Sequence, residues 1–270
     1  MPSFVLPFFR SASATARILA LSLLLPLSAQ AADYTDLWWN PSESGWGVNL
    51  VQSDNFMFLT FFIYGADNKP TWFTALLTAD SQGAYSGGLY ATVGTYYAKP
   101  WSTGDAIPGQ LVGSAQFKPS TSNSYQATLT YVVNGVGTVI KAIERQSLTA
   151  INIGGAYTGG LAGVQSGCSN AGSYKNSFDL QVNQTTAGAF SLAFTFPTYA
   201  CTLSGTLVQN GTQYNAANAE YKCTQGNTTV LSTSANIAEL KATAQGIEGR
   251  WVAGVGGGCV ENAYFSAVLL

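Results

Sequence analysis

The sequence predicts an all-β protein made of two small antiparallel β-barrel or β-sandwich domains. Three observations predict it. Apolar and polar residues alternate through most of the chain, long stretches of 3.6-residue periodicity are missing, and turn residues recur at near-regular spacing. Charged residues are only 9 % of the 270, while 47 % are hydrophobic, 13 % aromatic, and Gly numbers 29. That composition excludes a disordered chain, which is charged and poor in aromatics.

The N-terminus reads as an export signal. Residues 1–17 hold Arg10 and Arg17 and no acid, Ile18 to Ala29 is an apolar run, and Ala29-Gln30-Ala31 ends in small residues. Cleavage after Ala31 would make residues 1–31 a signal peptide. Removing those two arginines from the 11 basic residues leaves 9 against 13 acids, a net charge near −4. Nucleic acid is therefore not an expected partner, since phosphate binding needs clustered cations. No later apolar stretch reaches the roughly 18 residues of a membrane helix, so no transmembrane helix is expected. The expected location is the periplasm or the extracellular medium.

In the first half, Trp46, Val48 and Leu50 share one strand face and Gly47 and Asn49 the other. Phe56 to Tyr64 is apolar on both faces, which suits a strand covered on both sides or one whose second face lines a pocket. Turn residues at Gly65 to Pro70 lead into an extended Thr71 to Thr78, completing a hairpin. Further strands are expected at Ala84 to Thr92, Leu111 to Lys118, Tyr125 to Val133 and Val136 to Arg145, the last two joined by Asn134-Gly135. Tyr96, Tyr97 and Trp101 read as loop plugs or strand caps, and Tyr90 and Tyr131 as sheet packing.

The second half repeats this texture. Phe178, Leu180 and Val182 alternate, and strands are expected at Phe190 to Phe196, Thr202 to Gln209, Gln213 to Cys223, Thr228 to Ser234 and Ala263 to Leu270. Ile237, Leu240 and Lys241 have helical spacing and suggest a short helix over Asn236 to Ala244. Glu248 and Arg250 suggest a surface ion pair, and Gly254 with Gly256 to Gly258 a flexible turn. An internal echo links Gly83 to Leu89 (GAYSGGL) with Gly155 to Leu161 (GAYTGGL). With Ser147 to Gly154 as the join, the domains are 33–147, rich in Trp, and 155–270, which holds all four Cys. Many short strands with tight turns give both pieces the texture of meandering barrels similar to lipocalins or streptavidin.

The four cysteines allow three pairings. In an exported chain disulfides are favoured over metal ligation. The expected pairs are Cys201 with Cys223, tying neighbouring strands, and Cys168 with Cys259, tying the start of the C-terminal domain to its end.

The absence of His removes Ser-His-Asp and Cys-His nucleophile activation and His-ligated metal sites. No Ser sits between flanking glycines at −2 and +2, and no Lys follows a Ser by three residues. No cofactor, no metal and no catalytic residue is expected.

One segment is dense in specific residues: Trp38 to Leu50, WWNPSESGWGVNL. It resembles a W-x-N-P-x-E-S-G-W-G-x-N-L signature of uncharacterised exported proteins of Gram-negative bacteria, and KPTWF at 69–73 extends the resemblance over residues 37 to 78. The resemblance implies export and a β fold, and no chemistry. Two readings of the motif follow. In the structural one, Asn40-Pro41 sets a turn, Ser44-Gly45 bends the backbone, and Glu43 fastens the loop by accepting backbone N–H groups. In the functional one, Trp38, Trp39, Trp46 and Trp72 surround a groove with Asn40, Glu43 and Asn49 as polar contacts, a lining suited to sugar rings or a hydrophobic ligand.

The function expected is thus a non-catalytic binding or cell-envelope interaction protein, its partner a glycan, a small hydrophobic ligand or an envelope protein. Alternatives are a hydrolase of the glycoside hydrolase type working with two carboxylates, which needs no His, and an outer-membrane or structural envelope component.

Overall fold

The computed structural model describes residues 32–105, 107–169 and 171–270, so the expected signal peptide lies outside the described residues. Strands account for every regular element among them, and no helix there is long and apolar enough to cross a membrane. The chain is all-β and forms two closed antiparallel barrels.

The first barrel comprises β1 (Asp36–Trp39), β2 (Gly47–Ser53), β3 (Phe56–Tyr64) and β4 (Pro70–Ala79). It continues with β5 (Tyr85–Val93), β6 (Ile107–Pro119), β7 (Gln126–Val133) and β8 (Gly137–Arg145). Each strand pairs with its neighbour in sequence, and β8 returns to β1 with Arg145 opposite Trp38, which closes the sheet. Alternation sends one set of side chains inward. Val48, Leu50, Met57, Leu59, Phe61, Leu77, Leu89, Phe117 and Leu129 fill the interior together with Trp38.

The second barrel contains β9 (Gly155–Ser166), β10 (Gly172–Gln184), β11 (Ala189–Thr195) and β12 (Ala200–Thr206). After the short β13 (Val208–Asn210) come β14 (Gln213–Gln225), β15 (Thr228–Ala242), β16 (Gly246–Gly256) and β17 (Cys259–Leu269). Here β17 pairs with β9, and β12 pairs with β14 to complete the ring. Cys201 faces Cys223 across that β12–β14 pairing and bonds to it, while Cys168 bonds Cys259 next to the β9–β17 pairing.

Three local expectations are corrected by these elements. The second face of β3 is not covered: Phe56, Phe58, Phe62 and Tyr64 stand 44–55 % exposed on the outside of the barrel, where Phe62 and Tyr64 border only a shallow surface cleft. Asn236 to Ala242 belongs to β15, with no helix. The register shifts between Ala238 and Lys241, and Glu239 takes a left-handed φ of 56°. This bulge brings Ile237 and Leu240, three apart, onto the same inner face, and so imitates helical spacing. Tyr96, Tyr97 and Trp101 plug nothing, being 56, 90 and 71 % exposed.

The GAYSGGL and GAYTGGL echo has a shared physical cause. In both copies the Tyr and Leu point into a core, and the first glycine after Ser86 or Thr158 meets a neighbouring strand so closely that a Cβ would collide with a carbonyl oxygen, that of Leu76 or of Ser266. The copies occupy the fifth strand of one barrel and the first of the other, so they mark sharply coiled strands and are not positional equivalents.

The barrels meet through a buried polar knot. Arg145, at the end of β8, has a side chain with no exposed surface, and its guanidinium donates to Asp36 Oδ2 at 3.1 Å and to the carbonyls of Ser124 (3.0 Å), Thr35 and Asp33. It also lies 5.1 Å from the Trp38 ring centroid. Asp36 Oδ2 in turn accepts the backbone N–H (2.9 Å) and hydroxyl (3.0 Å) of Thr212 in the second barrel. Gly211 has a φ of 63°, and a Cβ there would strike Asp36 and Arg145. Ser147 and Gln209 tie the connecting segment to the same β13–β14 hairpin, through Ser147 Oγ with Gly211 N–H (2.9 Å) and Gln209 Nε2 with the Thr149 carbonyl (2.6 Å).

Candidate functional site

The motif at 38–50 runs from the end of β1 through an exposed turn into β2 of the first barrel. Trp38 points inward and is fully buried, its indole N–H donating to the Tyr34 carbonyl at 3.0 Å and its ring meeting Phe117 edge-on at 5.0 Å. Asn40 Oδ1 accepts the Ser42 N–H, closing the Asn-Pro turn. Glu43 binds side chains, where backbone N–H groups were expected: it accepts from the Trp46 indole (3.0 Å) and from Lys141 Nζ, which itself lies 5.5 Å from the Trp46 centroid. Those bonds, Lys141's first, hold the Glu43 carboxyl below its ordinary value. Gly45 adopts a φ of 102° beneath Tyr64, and a Cβ at Gly47 would press on the Trp38 carbonyl.

The predicted groove is not assembled. Trp38 is core, Trp39 is half-buried on the opposite face of β1, Trp46 caps the interior beside Glu43, Asn49 is exposed on β2, and Trp72 is 55 % exposed on β4. Trp72 shares only a shallow cleft of about 250 Å³ with Gly45, Phe62, Tyr64 and Pro70.

A larger concavity opens at one end of the second barrel, with a volume of about 820 Å³. Strand parity builds it. The inner face of β10 runs Val182, Leu180 and Phe178 through the core, then Asn176 and Tyr174 at the open end. On β17 the inward series Ala267, Phe265, Ala263 ends in Glu261, and on β16 the series Ile247, Gly249, Trp251 ends in Val255. Trp251 lines the concavity, and the buried core rings Phe194 and Phe265 pack against it, with the three ring centroids 5.3 to 5.9 Å apart. Phe196 and Tyr199 stack at 4.4 Å on the rim, where the Tyr199 hydroxyl accepts from Asn176 Nδ2 at 3.0 Å. Gly163 leaves the room that Tyr174 occupies, since a Cβ there would collide with the phenol ring. Both disulfides lie in the wall, and Gly256 to Gly258, all at positive φ, make the loop above Cys259.

The polar centre is Glu261, only 5 % exposed. Its Oε1 accepts the Trp251 indole N–H at 2.8 Å and the Tyr221 hydroxyl at 3.2 Å, and its Oε2 accepts Gln165 Nε2 at 3.4 Å. Burial, with the negative charge of Glu261 adding to it, raises the phenol pKa values of Tyr174, Tyr221 and Tyr199. The Tyr221 phenol is thus a neutral donor to Glu261, and Tyr174 hydrogen-bonds the same carboxylate.

A second, polar cleft of about 500 Å³ lies between the barrels, lined by Tyr34, Ser124, Asn215, Glu239 and Arg250. Arg250 pairs there with Glu239 at 3.1 Å, and Glu248 instead accepts the Tyr264 hydroxyl at 2.9 Å, so the expected Glu248–Arg250 pair is not formed. Burial raises the pKa of Glu239. Among the described residues no group of three or more Cys, Asp or Glu is placed to hold a metal.

No family model matches the chain, and no curated protein matches it. Among solved structures, the chain is similar to a protein of unknown function from the DUF3598 family of Nostoc punctiforme, at 10 % identity and a TM-score of 0.28, over 89 % of this chain and all of the other.

Proposed function

We propose that this chain is an exported, non-catalytic binding protein that takes a small ring-bearing ligand, a sugar or hydrophobic molecule, into the open end of its second barrel. The observation that carries the reading is the cup itself: about 820 Å³, walled by Tyr174, Phe196, Tyr199, Tyr221 and Trp251, with one buried carboxylate at its centre. Sites for small molecules are concave, largely aromatic and served by a few placed polar groups. The signal-like N-terminus and the resemblance of the 38–50 motif support export, as do two disulfides, which persist in oxidising compartments.

Hydrolysis by paired carboxylates is less well supported, because the cup lining contains Glu261 as its single acid and that mechanism needs two. An outer-membrane barrel is likewise disfavoured for the second domain. Its outward positions include the exposed Lys175, Asp179, Glu220, Lys222 and Glu248, where lipid would demand an apolar band.

Calorimetric titration with a panel of monosaccharides and small aromatic molecules tests the proposal. Leu231→Trp, which fills the cup from β15, should weaken any binding found by at least about tenfold, and Trp72→Ala in the first barrel should leave it unchanged. The opposite pattern would return the site to the first barrel.

A further inference from the structure

We infer that the ligand of the second barrel is a cation, an organic ammonium carried on an aromatic or aliphatic frame, and that Glu261 is its partner. This rests on the cup being the binding site and adds the charge of what binds there.

The first ground is that Glu261 is buried without a counter-charge. Its hydrogen-bond partners Trp251, Tyr221, Gln165 and Tyr174 are all neutral, the cup lining contains no Lys or Arg, and no cation lies within ion-pair distance of Glu261 among the described residues. Asp36, the other deeply buried acid, shows the usual arrangement: its side chain is 6 % exposed and Arg145 lies against it. A buried carboxylate ordinarily has a charged partner, because removal from water costs it several kcal/mol. Glu261 is an exception inside a cavity that admits a ligand.

The second ground is the kind of bond Glu261 accepts. A carboxylate offers about four acceptor positions. Oε1 takes two well-placed donors, Oε2 takes the long 3.4 Å contact from Gln165, and the Tyr174 hydroxyl is a further partner of the carboxylate, so every donor the chain supplies is neutral. An ammonium N–H at Oε2 would form the short, charge-assisted bond that the chain itself does not supply.

The third ground is the wall. Tyr174, Phe196, Tyr199, Tyr221 and Trp251 line the cup around that carboxylate, and aromatic faces attract cations. The same negative charge repels acids, so the site selects by sign as well as by shape.

The test compares 2-phenylethylammonium with 2-phenylethanol, close in size and differing in charge, by calorimetry on the full chain at neutral pH. The ammonium should bind at least about tenfold more tightly, and Glu261→Gln should bring the two within about twofold of each other. Equal binding of both probes to the unaltered protein would overturn the inference and leave the cup as a site for neutral molecules. Binding of neither would overturn the inference and remove these small rings from the reading of the cup; loss of all binding from the whole panel above would sink that reading itself. Should Glu261→Gln fail to fold, Gln165→Leu serves in its place: it removes a neutral donor from Oε2, keeps the charge, and should preserve or widen the preference.

Discussion

Arg145 offers the sharpest prediction about how the two barrels are held. Replacing it with Met keeps a long side chain and removes the guanidinium. Four acceptors then each lose one donor, namely Asp36 Oδ2 and the carbonyls of Ser124, Thr35 and Asp33, and the face of Trp38 loses its cation. Asp36 keeps the Thr212 donors and the Leu37 N–H but has no cation, in a position where its side chain is 6 % exposed. Removing one partner of a buried ion pair costs about 3–5 kcal/mol. At about 2–4 °C per kcal/mol for a chain of this size, the midpoint of thermal unfolding should fall by roughly 6–20 °C. Thr212→Val removes one hydroxyl bond to the same oxygen and should cost only about 1 kcal/mol. Scanning calorimetry of both variants decides the matter. A Met variant melting within 3 °C of the unaltered protein, a margin of roughly 1 kcal/mol, would refute the assignment of Arg145 as the centre of the knot.

The disulfides close loops of 22 and 91 residues, and a chain-entropy account assigns them about 3.4 and about 4.6 kcal/mol; reduction should speed amide exchange in 155–269 and leave 36–145 nearly unchanged, whereas equal acceleration in both would contradict this. The phenols of Tyr174 and Tyr221 titrate above their usual value near 10 through burial and the charge of Glu261. The native state thus keeps protons that the unfolded chain releases, so stability is complete below pH 10 and falls as pH rises from there. Absorbance at 295 nm should show ionisation of fewer than the 14 tyrosines before alkaline unfolding, and full ionisation of the folded protein near pH 10 would be the contrary result. Trp38→Ala, in the core, should cost about 3–5 kcal/mol in urea unfolding, and Trp39→Ala on the outer face clearly less; equal losses would contradict the inward placement of Trp38.

Much of the architecture is legible in alternation. The inward series Phe178, Leu180 and Val182 on β10, and Val48 and Leu50 on β2, show which face meets a core, and turn residues such as Asn134-Gly135 separate the strands. Parity also misleads where the backbone breaks it. The bulge at Glu239 shifts β15 by one residue and makes an inner face look helical. In β3 the outward Phe56, Phe58 and Phe62 are as apolar as the inward Met57, Leu59 and Phe61, so composition alone cannot distinguish a covered face from an exposed one.

The cup is less legible in the sequence because its members come from separate strands: Gln165 on β9, Tyr174 on β10, Tyr221 on β14, Trp251 on β16 and Glu261 on β17. Closure of the ring, including the β12–β14 pairing across β13, is what brings them together, and no local motif encodes it. The Trp-rich motif is the densest signal in the sequence, yet in the first barrel its residues serve turn formation and core packing. A signal for the cup did exist. Glu261 lies at the inward parity of Ala263, Phe265 and Ala267, as Arg145 lies at the inward parity of Ile143. A charge on the apolar side of a strand marks a place where the fold must supply a partner, and it identifies both the inter-barrel knot and the cup.

Hydrogen exchange with and without saturating 2-phenylethylammonium tests the location of binding most directly. Slowed exchange should concentrate at the open end of the second barrel, in residues 161–168, 172–176, 199–201, 221–223 and 251–261. Protection confined to residues 38–50 and the neighbourhood of Trp72 would contradict the account.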